Sequence, residues 1–168
     1  MLRRHATVAL VGAAILPMLN RRAAAQAATT GASMELRQKV LAASTFSTST
    51  SQLALTSGEN PAVKTFARFE TAEQQATLRA MQLAGLTIPQ TVPLDSDQTQ
   101  MLQQLRGLKG GEFDRMYVRG QLLGHQELLS LHQRMLAAGT REEQIISTLS
   151  VPSIEQHIAM LQAMPQQG

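Results

Sequence analysis

The sequence predicts an all-α bundle of four main helices and one short one, on three observations. No stretch shows the sustained β-branched alternation of a strand. Helix starts are marked by paired signals: Asn60 before Pro61, Asp95 with Gln98 three residues on, and Thr140 with Glu143 three residues on. The composition favours helix, rich in Leu, Ala, Met and Gln, with aromatics at 3% and no Trp.

Residues 1–27 stand apart from the bundle. Arg3 and Arg4 precede an apolar run from Ala6 to Leu19, and small residues end in Ala25-Gln26-Ala27. This is the layout of a secretory signal peptide with an A-x-A cleavage site, and Ala23-Ala24-Ala25 offers a second, earlier cut. The run is interrupted by Pro17 and falls short of the roughly 20 residues a spanning helix needs, so no transmembrane segment is expected in the mature chain. Arg3-Arg4 and Arg21-Arg22 around a weakly apolar core suit the twin-arginine route beside the ordinary one. The expected address is the periplasm or cell envelope.

Cleavage changes the electrostatics. The full chain has 15 basic and 12 acidic residues; the signal holds four arginines and no acid, leaving 11 basic against 12 acidic and a net charge of −1. Nothing in the mature part forms a basic stripe with interleaved aromatics, so no nucleic-acid partner is expected. The absence of cysteine excludes a lipoprotein anchor and disulfides, and with them a thiol nucleophile. Neither a Gly-x-Ser-x-Gly turn nor a phosphate-cradling glycine loop is present.

Residues 28–33 read as a short flexible lead, and residues 34–164 as the bundle. The first helix is expected over Met34–Thr56. Its middle, Ser44 to Ser51, is Ser and Thr around Phe46, a composition weak in intrinsic helicity that points to close packing against a neighbour. The second helix starts at Pro61 and ends near Ala84, with Gly85 as its stop. Pro89 and Pro93 keep the following linker extended. Asp95 opens the short third helix, which ends near Gly107; Gly110-Gly111 resets the chain, and the fourth helix runs from Glu112 to Ala138. Gly139 closes it and Thr140 starts the fifth at once, which makes these two antiparallel neighbours. Pro152 should kink or restart the fifth helix, after which Ile154, Ile158 and Leu161 carry its apolar face.

Charged and polar residues fall on faces that should be apolar. On the second helix Ala62, Val63, Phe66, Phe69, Ala80, Met81 and Ala84 define a face that also carries Glu70, Glu73 and Thr77. Burying carboxylates is costly unless they are paired or bind metal. On the fourth helix a polar line of Asp114, Gln121, His125 and His132 runs through the apolar arc, and on the fifth His157 sits among Ile154, Ile158 and Leu161.

Three chemistries fit such a cluster. Glu70, Glu73, His125 and His157 would supply the shell of a di-metal carboxylate site holding iron, manganese or zinc, although the Glu-x-x-His pairs usual in such sites are absent. Alternatively, Glu70 or Glu73 accepts hydrogen bonds from His125, His157 or Tyr117 in a network that fixes helix register. Proton-transfer catalysis is the third. His132, seven residues from His125, lies too far along the axis to share an ion and reads as a helix-boundary histidine.

The stretch Asn60-Pro61-Ala62-Val63-Lys64-Thr65-Phe66-Ala67-Arg68-Phe69-Glu70 with Glu73-Gln74 resembles the second helix of the bacterial family called domain of unknown function 4142. The likeness continues in Phe113-Asp114-Arg115-Met116-Tyr117 with His125, and in Val151-Pro152-Ser153-Ile154 leading to His157. The resemblance implies a ferritin-like up-down bundle exported to the periplasm or envelope; many relatives carry Asp-His where this chain has Glu73-Gln74. The expected function is therefore a non-catalytic, stress-associated envelope bundle. The alternatives are a ferritin-like metal-binding protein and a helical module that oligomerises or docks an envelope partner through Met-bearing surfaces.

Overall fold

The computed structural model describes residues 16–164, with side chains from residue 31 onward. The described residues form five helices: α1 Leu16–Ser57, α2 Pro61–Leu83, α3 Ser96–Gly107, α4 Gly110–Ala138 and α5 Arg141–Ala163. No strand occurs among the described residues. The protein is all-α, as its periodicity predicts. Its chain divides into two compact units, Met1–Ala32 and Ser33–Gly168, and the bundle is the second. Most of the apolar run of the expected signal lies outside the described residues. Among those described, no helix is long and apolar enough to cross a membrane.

α1 begins at Leu16, well before the expected Met34, and it covers residues 28–33, expected as a flexible lead. The reason is local: the alanines between Ala23 and Ala28 are the strongest helix formers available, so the helix propagates through them. Farther on, threonines of the Ser/Thr run bond back to their own helix, Thr45 to the Leu41 carbonyl and Thr48 to that of Ser44. Both capping boxes form, at Asp95 with Gln98 and at Thr140 with Glu143, and Asn60 accepts from the Ala62 N–H. After α2, Gly85 takes φ +79°, the left-handed conformation its missing Cβ allows.

α5 runs through Pro152 without restarting. The carbonyl that Pro152 cannot bond, four residues back, belongs to Thr148, an exposed residue whose backbone water can satisfy. Phe69, expected on the core face of α2, is 58% exposed with the Arg68 guanidinium 4.9 Å above its ring. The buried stripe of α2 is Val63, Phe66, Ala67, Glu70 and Met81, which rotates Phe69 off the face.

Three apolar clusters hold the helices together. One joins Ala54 of α1 to Val63 and Phe66 of α2, Leu105 of α3, Phe113 and Tyr117 of α4 and Leu161 of α5. A second packs Leu36 and Val40 of α1 on Leu128, Leu131 and Met135 of α4 and Ile154 of α5. A third places Leu41, Met81 and Ile146 beneath the linker residues Leu86, Ile88 and Val92. The polar centre described below is framed by these clusters.

Buried polar groups tie the ends of the bundle. Asp114 Oδ2 accepts the backbone N–H groups of Glu59 and Asn60, at 3.2 and 2.8 Å, anchoring the α1–α2 turn to α4. A Cβ added at Gly58 would lie 2.6 Å from Asp114 Oδ1 and 2.9 Å from the Ala54 carbonyl, which explains glycine there. At the opposite end, the fully buried Glu143 accepts from Ser33, from the Thr140 backbone and from Arg37. Burial works against its charge, but these donors hold its carboxyl below the ordinary range. His132 is a mid-helix residue of α4, not a boundary one; it is buried, with Nδ1 2.9 Å from Ser147 Oγ, and burial pushes it down to about 4.

Two outcomes are expected. Gly58→Ala forces apart packed backbone and the Asp114 carboxylate, and should cost about 1–3 kcal/mol in urea unfolding; an unchanged midpoint would refute the close packing. His132, at 6.5 in the unfolded chain and about 4 when folded, binds its proton preferentially in the unfolded state. Its contribution is therefore complete above about pH 6.5 and lost as pH falls toward 4. Between pH 7 and 4.5 the wild type should lose about 2 kcal/mol more stability than His132→Asn, read from paired denaturation curves.

Candidate metal centre

α2, α4 and α5 each send one group to a common point in the bundle. Glu70 Oε2 lies 2.9 Å from His157 Nδ1 and 3.3 Å from His125 Nε2, and the two nitrogens are 3.2 Å apart. Glu70 and His125 are fully buried, and His157 is 8% exposed. Phe66 sets its ring edge-on against both imidazoles, with centroids 5.8 and 5.2 Å away, so their orientation is fixed by packing.

The hydrogen-bond inventory of this triangle is short of protons. His125 Nδ1 lies 2.8 Å from the Gln121 carbonyl, which can only accept, so the ring proton sits on Nδ1. In neutral His125, Nε2 therefore presents a lone pair to the centre. Glu70 Oε2 presents another. His157 faces carboxylates with both nitrogens, Nδ1 toward Glu70 and Nε2 toward Glu73 at 3.4 Å. Burial opposes charge on His157, but its hydrogen bond to Glu70 and the charges of Glu70 and Glu73 outweigh that and raise its basicity. A proton on His157 Nδ1 supplies the one donor the triangle has, and a second proton on Nε2 would face Glu73.

Glu70 turns one oxygen to the imidazoles and the other to hydrogen-bond donors. Its Oε1 accepts from Ser47 Oγ of α1 at 2.5 Å and from Gln74 Nε2 at 2.9 Å, leaving Oε2 for the imidazoles. Burial pushes the carboxyl up, yet the adjoining His125 and His157 imidazoles and the Ser47 hydroxyl more than offset it, and the group lies well below the ordinary carboxylate range. Gln121 is locked by donating to the Ser47 carbonyl and to Thr50 Oγ1, which steadies the backbone carbonyl that holds His125. Tyr117 does not join Glu70; its hydroxyl pairs with Ser51 Oγ at 2.8 Å, and burial raises its pKa.

Of the four residues singled out in the sequence, Glu70, His125 and His157 offer ligand atoms within 4.8 Å of one another. Glu73 does not share that point. It sits on the far nitrogen of His157, accepts from Ser153 Oγ at 2.7 Å, and orients the ring from outside.

Residues 19–164 match the family described as Domain of unknown function (DUF4142). The chain belongs to that family. No curated protein and no solved structure matches it. In this DUF4142 chain the segments that carry the resemblance also build the site: the first gives Glu70, Glu73 and Gln74 on α2, the second leads to His125 on α4, and the third to His157 on α5. Sequence reasoning missed Ser47, Gln74 and Gln121 as partners of the centre. The unusual Ser/Thr run and the buried line on α4 were the available signals, but a helical wheel gives facing, not height.

The Ser47 hydroxyl donates to a buried charged oxygen, so Ser47→Ala should cost about 1.5–3 kcal/mol. A neutral Ser47→Ala in chemical denaturation would mean that Gln74 alone satisfies Oε1.

Proposed function

We propose that this DUF4142 chain is a metal-binding bundle that holds one divalent ion through Glu70 Oε2, His125 Nε2 and His157 Nδ1. The observation that carries the reading is the triangle itself. Its edges of 2.9, 3.2 and 3.3 Å are close to the roughly 3.3 Å between ligand atoms that each lie about 2.0–2.1 Å from a tetrahedral ion. The second carboxylate, Glu73, faces the wrong side of His157 for a two-metal site, so the geometry favours one ion over the di-metal arrangement. Two imidazoles and one carboxylate oxygen suit zinc or iron(II) better than calcium or magnesium, which want more oxygens.

Each imidazole has the outer support that a ligand histidine needs, His125 from the Gln121 carbonyl and His157 from Glu73. Burial of all three ligands favours holding an ion over turnover of a substrate. Export to the periplasm or envelope belongs to the same reading, supported by the Arg3-Arg4 start, the apolar run and Ala25-Gln26-Ala27.

Protein recovered from the periplasmic fraction is expected to begin at Gln26 or Ala28 and to carry close to one equivalent of zinc or iron by elemental mass spectrometry. Glu70→Ala and His125→Ala should lose the ion, and Glu73→Ala should weaken affinity by about 10–100-fold. A folded wild type that takes up no cobalt(II), read by its visible absorption bands, would reduce the centre to a hydrogen-bond network.

A further inference from the structure

Glu70 faces two ways. Its Oε2 meets the imidazoles, and its Oε1 meets Gln74, which also lines a cleft of about 360 Å³ between α1, α2 and the linker. The cleft walls include Ser44, Thr45, Thr48 and Ser49 of α1 and Gln74 and Thr77 of α2, and none of the lining residues is charged. Thr45 and Thr48 donate their hydroxyl protons to the Leu41 and Ser44 carbonyls, so what their oxygens offer a further partner is lone pairs. Opposite the apolar Ile88, Pro89 and Val92 of the linker, these hydroxyl and amide oxygens can replace part of a cation's hydration without trapping it. The larger cleft of about 770 Å³ carries charges of both signs, Glu35, Asp95 and Glu127 beside Lys39 and Arg134, but none of its lining residues bonds Glu70, His125 or His157.

We propose that the smaller cleft is the route by which the ion reaches the centre and leaves it, with Gln74 as the gate. This rests on the reading of the Glu70, His125 and His157 triangle as an ion site. When the Gln74 amide swings off Oε1, an ion in the cleft meets that oxygen. The carboxylate then carries it to the two nitrogens, because Glu70 is bonded both to a cleft-lining residue and to the imidazoles. Gln74 is a positioning residue: Ser47 holds Oε1 from α1, and Gln74 is the partner of that oxygen that lines the cleft.

The test is stopped-flow binding of cobalt(II) to the mature protein, with release into excess chelator. Gln74→Ala should raise association and dissociation rates together by about tenfold, the factor that one hydrogen bond to a charged group represents as a barrier, leaving Kd within about threefold. Thr77→Phe, which fills the cleft from its edge, should lower both rates, whereas Ser130→Phe in the larger cleft should change neither. A Gln74→Ala variant in which only dissociation accelerates would make Gln74 a mere support of Glu70 and overturn the gate. Slowing by Ser130→Phe rather than Thr77→Phe would overturn the route. A wild type that binds no cobalt(II) removes the site reading itself, and the route with it.

Discussion

The structure turns on one buried carboxylate. Glu70 lies in the apolar middle of the bundle, where an ionised group left alone would carry a desolvation cost of several kcal/mol. Its surroundings answer that constraint. Ser47 and Gln74 saturate one oxygen, His125 and His157 face the other, and Phe66 holds the rings in place. The Ser/Thr run of α1, weak as a free helix, is there to put small hydroxyls against this charge. The same demand explains why four helices meet at one level: α1, α2, α4 and α5 each contribute a side chain that the others cannot replace.

Away from the centre, the bundle deals with its polar groups by the same rule. Glu143 ends the capping box of α5 and at once receives Ser33 and Arg37 of α1, so a local helix-start signal becomes a tertiary tie. Asp114 does the equivalent at the other end, accepting two backbone N–H groups from the turn that opens α2. These ties fix the axial register of helices whose apolar faces alone would allow sliding.

Much of this was legible in the sequence. The caps at Asn60, Asp95 and Thr140 work through neighbours within three residues, so their geometry is written locally. The polar line Asp114, Gln121, His125 and His132 stood out because a period of 3.6 placed it on the apolar side. What periodicity could not give was height along the axis. Glu70 and Glu73 share a face by angle, but one turn separates them, and that turn puts Glu70 on Nδ1 of His157 and Glu73 on Nε2. For the same reason Phe69 was expected inward, since the sequence cannot say which edge of the stripe the neighbours leave uncovered. The continuous α5 reflects solvent at Thr148, a fact of tertiary position that the Pro152 signal does not contain.

The mutual neutralisation at the centre has an evolutionary reading. Losing Glu70 alone leaves two imidazoles facing each other in the core, and losing both histidines leaves a buried, uncompensated carboxylate. Each single step is therefore worse than their combination, because an apolar set of matching volume carries none of these charges. The cluster is thus one energetic unit, separated from its apolar equivalent by less stable intermediates. Lineages are expected to keep all of its members or to replace them in concert, with few passing through the intermediate forms.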